Sequence, residues 1–514
     1  MCLSETCSVY SSLSKLGYYY RHIEVKQKVR VEYIRMTTKD EALIGHLLRR
    51  AGFGAGKMDI DRFVKLGYEQ TVDWLLDFNE EDDVNDALVR RYHPDKSVTH
   101  DNAGAGGYWL YRLVTAKNPL REKIGLFWHT IFATGYSKVT NGKPLTDQVK
   151  MFRDHGTEKL DRLLLKLSQD PAMIIWLDNV DNHNGAINEN YGRELLELFS
   201  MGVGNYTEED IKECSRAFTG WTVANSDYIK QLAVRNSIWP YGKLAWRYEF
   251  DPNDHDSGAK TFLGQTGNFN GEDIIEIICK QQATARFIAR HLYHFFVSDE
   301  PPVPQWPYIP PQDPDAIEQL ERVYFASGYD LREVLRALFL SDFFMAEEAH
   351  FKKIKSPAEL VVGLLRLTEE FDGPVFEFSD RNSQITFMGQ QLMNPPSVEG
   401  WHQGVEWIET GSLTERVNFS SQILGDISKP GIRKVINKVI QNCGEKYSST
   451  DFVDYCLMEI GALEASERIH EILVDFVQDS GLQEINMSKD RDLAEHKIAD
   501  LLRVLGSMPE FQKC

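Results

Sequence analysis

The sequence has few cysteines, and they are scattered along the chain. Seven cysteines are spread over 514 residues, and no two of them form a CxxC motif. A disulfide framework or a structural zinc cage requires grouped or evenly paired cysteines, so both are excluded as organising features. Scattered free thiols are typical of a reducing compartment. We therefore expect a cytoplasmic protein.

Long apolar runs are also absent. No stretch reaches the roughly 18–20 apolar residues that span a bilayer. A signal peptide has a positively charged region followed by an apolar one. The N-terminal segment does not have this pattern. We expect neither a membrane-spanning segment nor a signal peptide.

Basic residues are fewer than acidic residues. The chain has 57 Lys and Arg against 77 Asp and Glu, which gives a net charge of −20, and its basic runs are short. Because such a surface repels phosphate backbones, we expect no nucleic-acid partner. The expected partner is an unidentified small molecule or protein.

Helical periodicity, by contrast, is abundant. From Met36 onward apolar residues recur at helical spacing, and aromatic and turn residues interrupt them near 222–270. The pattern predicts a mainly α fold, a large multi-helix globular domain with an irregular or short-stranded insert near 222–270. We expect four segments: a poorly structured extension at 1–35, an N-terminal helical part at 36–300, a proline-rich connector at 301–315, and a C-terminal helical part of the same domain at 316–514. Met1 and Met36 are alternative starts.

Six segments in order resemble one known family. They are His46–Gly54 (HLLRRAGFG), Phe127–Thr134 (FWHTIFAT), Asn188–Leu198 (NENYGRELLEL), Ala217–Trp221 (AFTGW), His255–Gly264 (HDSGAKTFLG) and Pro395–Trp401 (PPSVEGW). Together they resemble the bacterial family known as domain of unknown function 1800, from about residue 36 to the C-terminal PEFQ. The resemblance implies one large, mainly α-helical unit and no particular activity. Its members are often exported, which stands against the cytoplasmic expectation. Ile131 occupies a position where members often have a second histidine, so a two-histidine metal site is not implied there.

The segment NENYGRELLEL carries the strongest candidate site. At about 100° per residue, Asn190, Arg193, Glu194 and Glu197 fall within an arc of about 100°. Glu189 and Glu197 each stand four residues from Arg193, a spacing that favours ion pairs. Such a face offers carboxylates for acid–base work or for a divalent metal ion, with Arg193 as an anion-binding group. The alternative is a solvated amphipathic face or a buried ion network between helices.

Two histidines outside this helix are further candidates. His255 precedes Asp256 in a short polar loop that also contains Lys260, and an imidazole flanked by carboxylates is typical of a base or metal ligand. The alternative is a capping or turn role for the aspartate. His129 lies in a mostly apolar helix, where a hydrogen-bonded core histidine is more common than a ligand. The catalytic candidates are Glu194, Glu197, His255 and Arg193, and the binding candidates are Asn190, Glu189, His129, Asp256 and Lys260.

Two functional hypotheses follow from these residues. The first is an acid–base or metal-dependent site on a helical scaffold, with hydrolysis as one form and a divalent metal ion as the cofactor. The second is a non-catalytic helical binding or assembly module, whose polar networks only fix helix packing. We favour the first, and we expect His255 to meet the face of Glu194 and Glu197 in one cleft. Reaction and substrate stay open.

Overall fold

Helices make up most of the chain in a computed structural model. The structure describes residues 33–34, 38–78, 84–85, 89, 102–224, 246–371, 373, 378–444, 446–461, 463–481, 485, 487 and 489–514. The predicted mainly α fold is confirmed. No helix among these residues has both the length and the apolar character needed to cross a bilayer.

The helices follow one another closely along the chain. They are α1 (Lys39–Arg50), α2 (Lys57–Leu66), α3 (Tyr68–Leu76), α4 (Asn102–Thr115), α5 (Pro119–Ile131), α6 (Tyr136–Val139), α7 (Gly142–His155), α8 (Leu160–Ser168), α9 (Pro171–Trp176), α10 (Asn190–Glu197), α11 (Glu208–Ala217), α12 (Gly271–Cys279), α13 (Gln282–Phe296), α14 (Pro314–Ala326), α15 (Leu331–Phe339), α16 (Asp342–Met345), α17 (Pro357–Leu367), α18 (Phe378–Phe387), α19 (Thr410–Leu424), α20 (Pro430–Cys443), α21 (Ser449–Glu459), α22 (Glu467–Asp479) and α23 (Arg491–Gly506).

The strands in the described residues are short and pair two by two, all antiparallel. They are β1 (Tyr33–Ile34) with β6 (Ala465–Ser466), β2 (Trp221–Ala224) with β3 (Arg247–Phe250), and β4 (Lys260–Phe262) with β5 (Gln265–Gly267). The last two pairs confirm a short-stranded insert near 222–270, of which residues 225–245 lie outside the described part. Strand β1 belongs to the predicted extension at 1–35. The other residues of that extension also lie outside the described part of the chain.

Local sequence signals explain where several helices begin. Thr38 precedes α1, its hydroxyl accepts from the Glu41 amide at 3.3 Å, and the Glu41 carboxylate accepts from the Thr38 amide at 2.8 Å. This reciprocal pair satisfies two amides that the helix cannot satisfy itself. At α14, the side chain of Asp313 accepts from the Ala316 amide, and Pro314 occupies the first turn, where its missing N–H costs nothing.

One apolar core joins the two helical parts of the chain. A single cluster of buried side chains extends from Leu47 in α1 to Phe511 near the C-terminus. The proline-rich stretch between the two parts packs onto α13 through Trp306, whose ring centroid lies 4.5 Å from the Arg290 guanidinium. The Trp306 indole also donates to the Pro301 carbonyl at 2.8 Å.

Helix α10 is held against this core by its apolar face. Leu195, Leu196 and Phe199 are fully buried. At Gly192, an added Cβ would lie 2.1 Å from the Ser215 hydroxyl oxygen of α11. Because only glycine permits this close approach, α10 packs tightly on α11. This contact fixes the direction in which the polar face of α10 points.

Candidate functional site

The polar face of α10 carries a carboxyl group with an unusual environment. Glu194 is half-buried, and its side chain forms no hydrogen bond with any described residue. Burial, reinforced by the nearby charge of Glu197, raises the pKa of Glu194 to about 7, and Glu399 adds a smaller effect in the same direction. The neighbouring Arg193 opposes the shift in part. Glu194 can therefore both give and take a proton near neutral pH.

Glu197 lies one helical turn from Glu194 and has a fixed partner. The Tyr206 hydroxyl donates to its Oε2 at 3.0 Å. Burial, together with the charge of Glu197, raises the pKa of Tyr206, so this phenol keeps its proton and stays a donor. The two carboxyl groups of the face thus differ, because one is held by a hydrogen bond and the other is free.

A third carboxylate reaches this region from a distant part of the sequence. Glu399 is exposed in the loop that follows Met393, and the Asn394 side chain accepts from the Ser137 amide of α6 at 2.9 Å. At Gly400 the backbone has φ +86°, and an added Cβ would lie 2.4 Å from the Thr130 carbonyl oxygen. Sequence reasoning did not select Glu399, although the segment PPSVEGW contains it.

The start of α10 is bordered by a further polar pair that the sequence did not reveal. The Asn190 side-chain amide donates to Asp178 at 3.1 Å, and Asp178 also pairs with Lys138 of α6 at 2.7 Å. Asp178 has a left-handed backbone, with φ +56°. Asn190, a predicted binding residue, is therefore held by Asp178, which is itself paired with a lysine.

Arg193 is engaged on the outer side of the helix. Its guanidinium pairs with Glu189 at 3.2 Å and with Glu208, at the start of α11, at 2.9 Å. The predicted ion pair with Glu189 is present, whereas among the described residues Arg193 forms none with Glu197. The hydrogen bond to Glu208 is the main cause that raises the pKa of Arg193. Glu208 is 79% exposed, so this is a surface network.

Asp256 and Lys260 belong to a different group of contacts, built around Arg216 of α11. The Arg216 guanidinium donates to Asp256 at 2.7 and 3.2 Å and to Glu213 at 2.8 and 2.9 Å. The Lys260 ammonium is buried and donates to the carbonyls of Asp256 and Gly258 at 2.5 and 3.1 Å. Both predicted binding residues thus hold their own loop, and the sequence reasoning missed Arg216.

His255 lies in the same loop as Asp256. Its Nδ1 bonds to the Thr219 carbonyl at 2.9 Å, and its ring centroid lies 5.3 Å from that of Phe250. Because a carbonyl only accepts, Nδ1 is the donor in this hydrogen bond. Within the described residues, no hydrogen bond, ion pair or ring contact joins His255 to Glu194 or Glu197.

His129 is a core residue in the structure. It is fully buried, and its ring centroid lies 5.4 Å from that of Trp109 and 5.3 Å from that of Trp401. Neither ring nitrogen has a hydrogen-bond partner in the described part of the chain. Burial lowers the pKa of His129 to about 3, so the ring is neutral.

The structure groups no set of three possible metal ligands among the residues that it describes. No three His, Cys, Asp or Glu side chains there are placed so that they could hold a metal ion. Calcium takes about six to eight oxygen ligands, whereas magnesium is often held by one or two carboxylates. A divalent metal ion at this face therefore stays a prediction, and no chemical step is assigned to it.

The fold and the site define a large, mainly α-helical domain with a carboxylate-rich face on one amphipathic helix. The model of the family described as "Protein of unknown function (DUF1800)" matches residues 46–513, nearly the whole chain. The chain belongs to this family. No curated protein and no solved structure matches it.

Proposed function

We propose that the polar face of α10 is the active site of an acid–base enzyme, with Glu194 as the group that exchanges a proton with the substrate. The observation that carries the proposal is the Glu194 carboxyl, which is half-buried, lacks a hydrogen bond to any described residue and has a pKa of about 7. A carboxyl group kept protonatable at neutral pH costs stability, and such groups concentrate at functional sites.

The chemistry that suits this face is hydrolysis. In its acid form Glu194 donates a proton to a leaving group, and in its carboxylate form it accepts one from an attacking water. Glu197, fixed by Tyr206, supplies an acceptor for a substrate hydroxyl or amide group. Arg193 offsets part of the negative charge of the face, and Asn190 orients the substrate at the start of the helix. These two are positioning residues.

A second candidate is supported by a separate observation. Asp256 and Lys260 use their polar atoms to hold a loop through Arg216 and backbone carbonyls. Polar side chains in the family segment His255–Gly264 thus serve structure, which is what a non-catalytic binding or assembly module requires. In that case Glu194 is an unpaired acid without a substrate.

The test is a substrate panel with matched variants. The full chain is assayed on chromogenic esters, phosphoesters, glycosides and peptides. Any turnover is then remeasured with Glu194→Gln, and with Glu209→Gln as the control, because Glu209 is a solvent-exposed carboxylate of α11 that pairs with Lys212. We expect activity with an apparent pKa near 7, a loss of about 100-fold or more in Glu194→Gln, and little change in Glu209→Gln.

Two results would contradict the proposal. Turnover that survives Glu194→Gln would place the chemistry elsewhere. No turnover on any class of the panel would remove the hydrolytic form and favour the binding module.

We also propose that the protein resides in the cytoplasm. The five cysteines within the described part of the chain are free and buried, and free thiols persist in reducing compartments. Fractionation of the native host is the test, and recovery in an exported fraction would contradict the proposal.

A further inference from the structure

A cavity of about 750 Å³ lies away from the polar face of α10. It is bounded by the loop after α1, by α17, by α20 and by the end of α21. Its volume falls in the range of roughly 300–1,000 Å³ that is typical of small-molecule sites. No residue of α10 is among the described residues that line it.

Much of the cavity wall is apolar. Phe53, Leu364, Val435 and Leu463 line it and are buried. Met58 lines it too and is 64% exposed, so an apolar side chain is presented to solvent. A wall of this kind suits the hydrocarbon body of a ligand.

Three cations stand in the same wall. Arg49 donates to the Gly461 carbonyl at 3.0 Å, Lys355 donates to the Phe511 carbonyl at 2.7 Å, and Arg366 donates to three carbonyls around the C-terminal end of α4. None of the three forms an ion pair with a described residue. Burial lowers the pKa of Arg49 to about 10 and that of Lys355 to about 8. Both side chains are thus cations that lack a counterion at hydrogen-bond distance.

The acidic residues that line the cavity form no ion pair with Arg49 or Lys355 among the described residues. Glu369 at the rim is exposed and pairs with Lys434 at 2.5 Å. Glu370 pairs with Arg381 and Lys429, each at 2.8 Å.

The other two acids of the wall differ in exposure. Asp59 is exposed and attracts Arg366, and Glu459 is buried, which raises the pKa of its carboxyl. Glu464, outside the wall, attracts Arg49 without forming an ion pair with it. Arg49 and Lys355 therefore lie beside apolar surface without an ion-paired carboxylate in the described part of the chain.

We propose that this cavity binds an amphipathic organic anion, a molecule with one carboxylate or phosphate group on an apolar body. The anionic group lies near Lys355 and Arg49, whose charges it neutralises, and the apolar body lies along Phe53, Leu364 and Val435. This site is separate from the proposed acid–base face, and either assignment can fail without the other.

The experiment is calorimetric titration of the full chain with four ten-carbon probes, all kept below their micelle concentrations. Decanoate and decyl phosphate carry the two possible anionic groups, decanol carries no charge, and decyltrimethylammonium carries the opposite charge. We expect at least one anion to bind about tenfold or more tightly than decanol, since a charge-assisted hydrogen bond contributes at least that factor. The stronger of the two anions identifies the head group. Equal binding of the anions and decanol, or no binding of either anion, would overturn the proposal.

Variants then locate the charge. Lys355→Met should weaken anion binding about tenfold or more, whereas Lys355→Arg, which keeps the charge, should restore it. Lys280→Met removes an exposed lysine that pairs with Glu276 and does not line the cavity, so it serves as the matched control, with little effect expected. A loss in Lys280→Met equal to that in Lys355→Met would contradict a site in this cavity.

A second pair of variants does not disturb the interior. Met58→Asp and Met58→Lys change the charge at an exposed side chain of the cavity, so both should fold. The two variants differ by two charges, so the anion should bind Met58→Asp about tenfold more weakly than Met58→Lys, at about threefold for each screened charge, and decanol should not distinguish them. Equal anion affinities for the two variants would place the ligand away from this cavity.

Discussion

Replacing Glu194 by glutamine should stabilise the protein at alkaline pH. Glutamine has nearly the same shape but never ionises. The folded protein holds the Glu194 proton more tightly than the unfolded chain does, because its pKa is about 7 instead of 4.5. Stability of the wild type is therefore lost as pH rises from about 4.5 to 7, and it stays reduced above that range. The variant lacks this loss.

The size of the effect follows from the same pKa. The difference from 4.5 to about 7 corresponds to about 3 kcal/mol between the two protonation states. Glu194 is only half-buried, so solvent screening reduces the contribution to about 1–2 kcal/mol. At pH 8 we expect Glu194→Gln to unfold with a free energy higher than that of the wild type by this amount. At pH 5 the gain should be below about 0.5 kcal/mol.

The assay is urea denaturation at pH 5 and pH 8, read from the transition midpoint and slope. Glu208→Gln is the control, because the pKa of Glu208 is lowered by its hydrogen bond to Arg193 and its loss should bring no gain at pH 8. A variant Glu194→Gln no more stable than the wild type at pH 8 would refute the reasoning. An equal gain at both pH values would mean that packing, and not ionisation, was changed.

Three further substitutions probe the surrounding residues by the same denaturation assay. Arg193→Ala should lower the free energy of unfolding by less than about 1 kcal/mol, because its partners are on the surface, and a loss of about 3–5 kcal/mol would reveal a buried pair instead. Arg216→Met should lower the free energy of unfolding by about 2–3 kcal/mol, because it leaves the carboxylates of Asp256 and Glu213 without their guanidinium partner. Proteolysis within residues 251–261 should also become faster. Unchanged stability and unchanged cleavage would show that the loop is stable without Arg216. His129→Met should change the free energy of unfolding at pH 8 by less than about 1 kcal/mol. At pH 5 the variant should be more stable than the wild type. The unfolded histidine takes up a proton below about pH 6.5, whereas the folded one, with a pKa of about 3, does not. A large loss at pH 8 would indicate a hydrogen bond that the structure lacks.

The helical architecture could be predicted from the sequence because its causes are local. Periodic apolar residues and capping signals specify each helix from neighbouring residues alone. The apolar spacing predicts helices over 314–326, 119–132 and 160–169; α14 has the first range, and α5 and α8 each end one residue earlier than the other two. Helical spacing also places Leu195, Leu196, Leu198 and Phe199 opposite Glu194, and of these only Leu198 is less than fully buried.

The candidate site could be predicted only where its residues share one helix. Asn190, Glu194 and Glu197 follow from the helical period. Glu399 lies about two hundred residues away, and only the packing of its loop on α5 and α6 brings its charge near Glu194. That His255 joins the same cleft stays a prediction, because it rests on loop propensity, which gives a turn but no direction in space.

The sequence by itself thus determined the fold class, the family and the polar face of α10, because periodicity and motif order are properties of the chain. The tertiary structure decided which polar groups have partners. Arg216 neutralises Asp256, Tyr206 holds Glu197, and Glu194 is left without a hydrogen bond among the described residues. It also formed the cavity that joins Arg49 to Lys355, two residues about three hundred positions apart. Desolvation and close charge pairs depend on distance through space, and sequence separation does not record that distance.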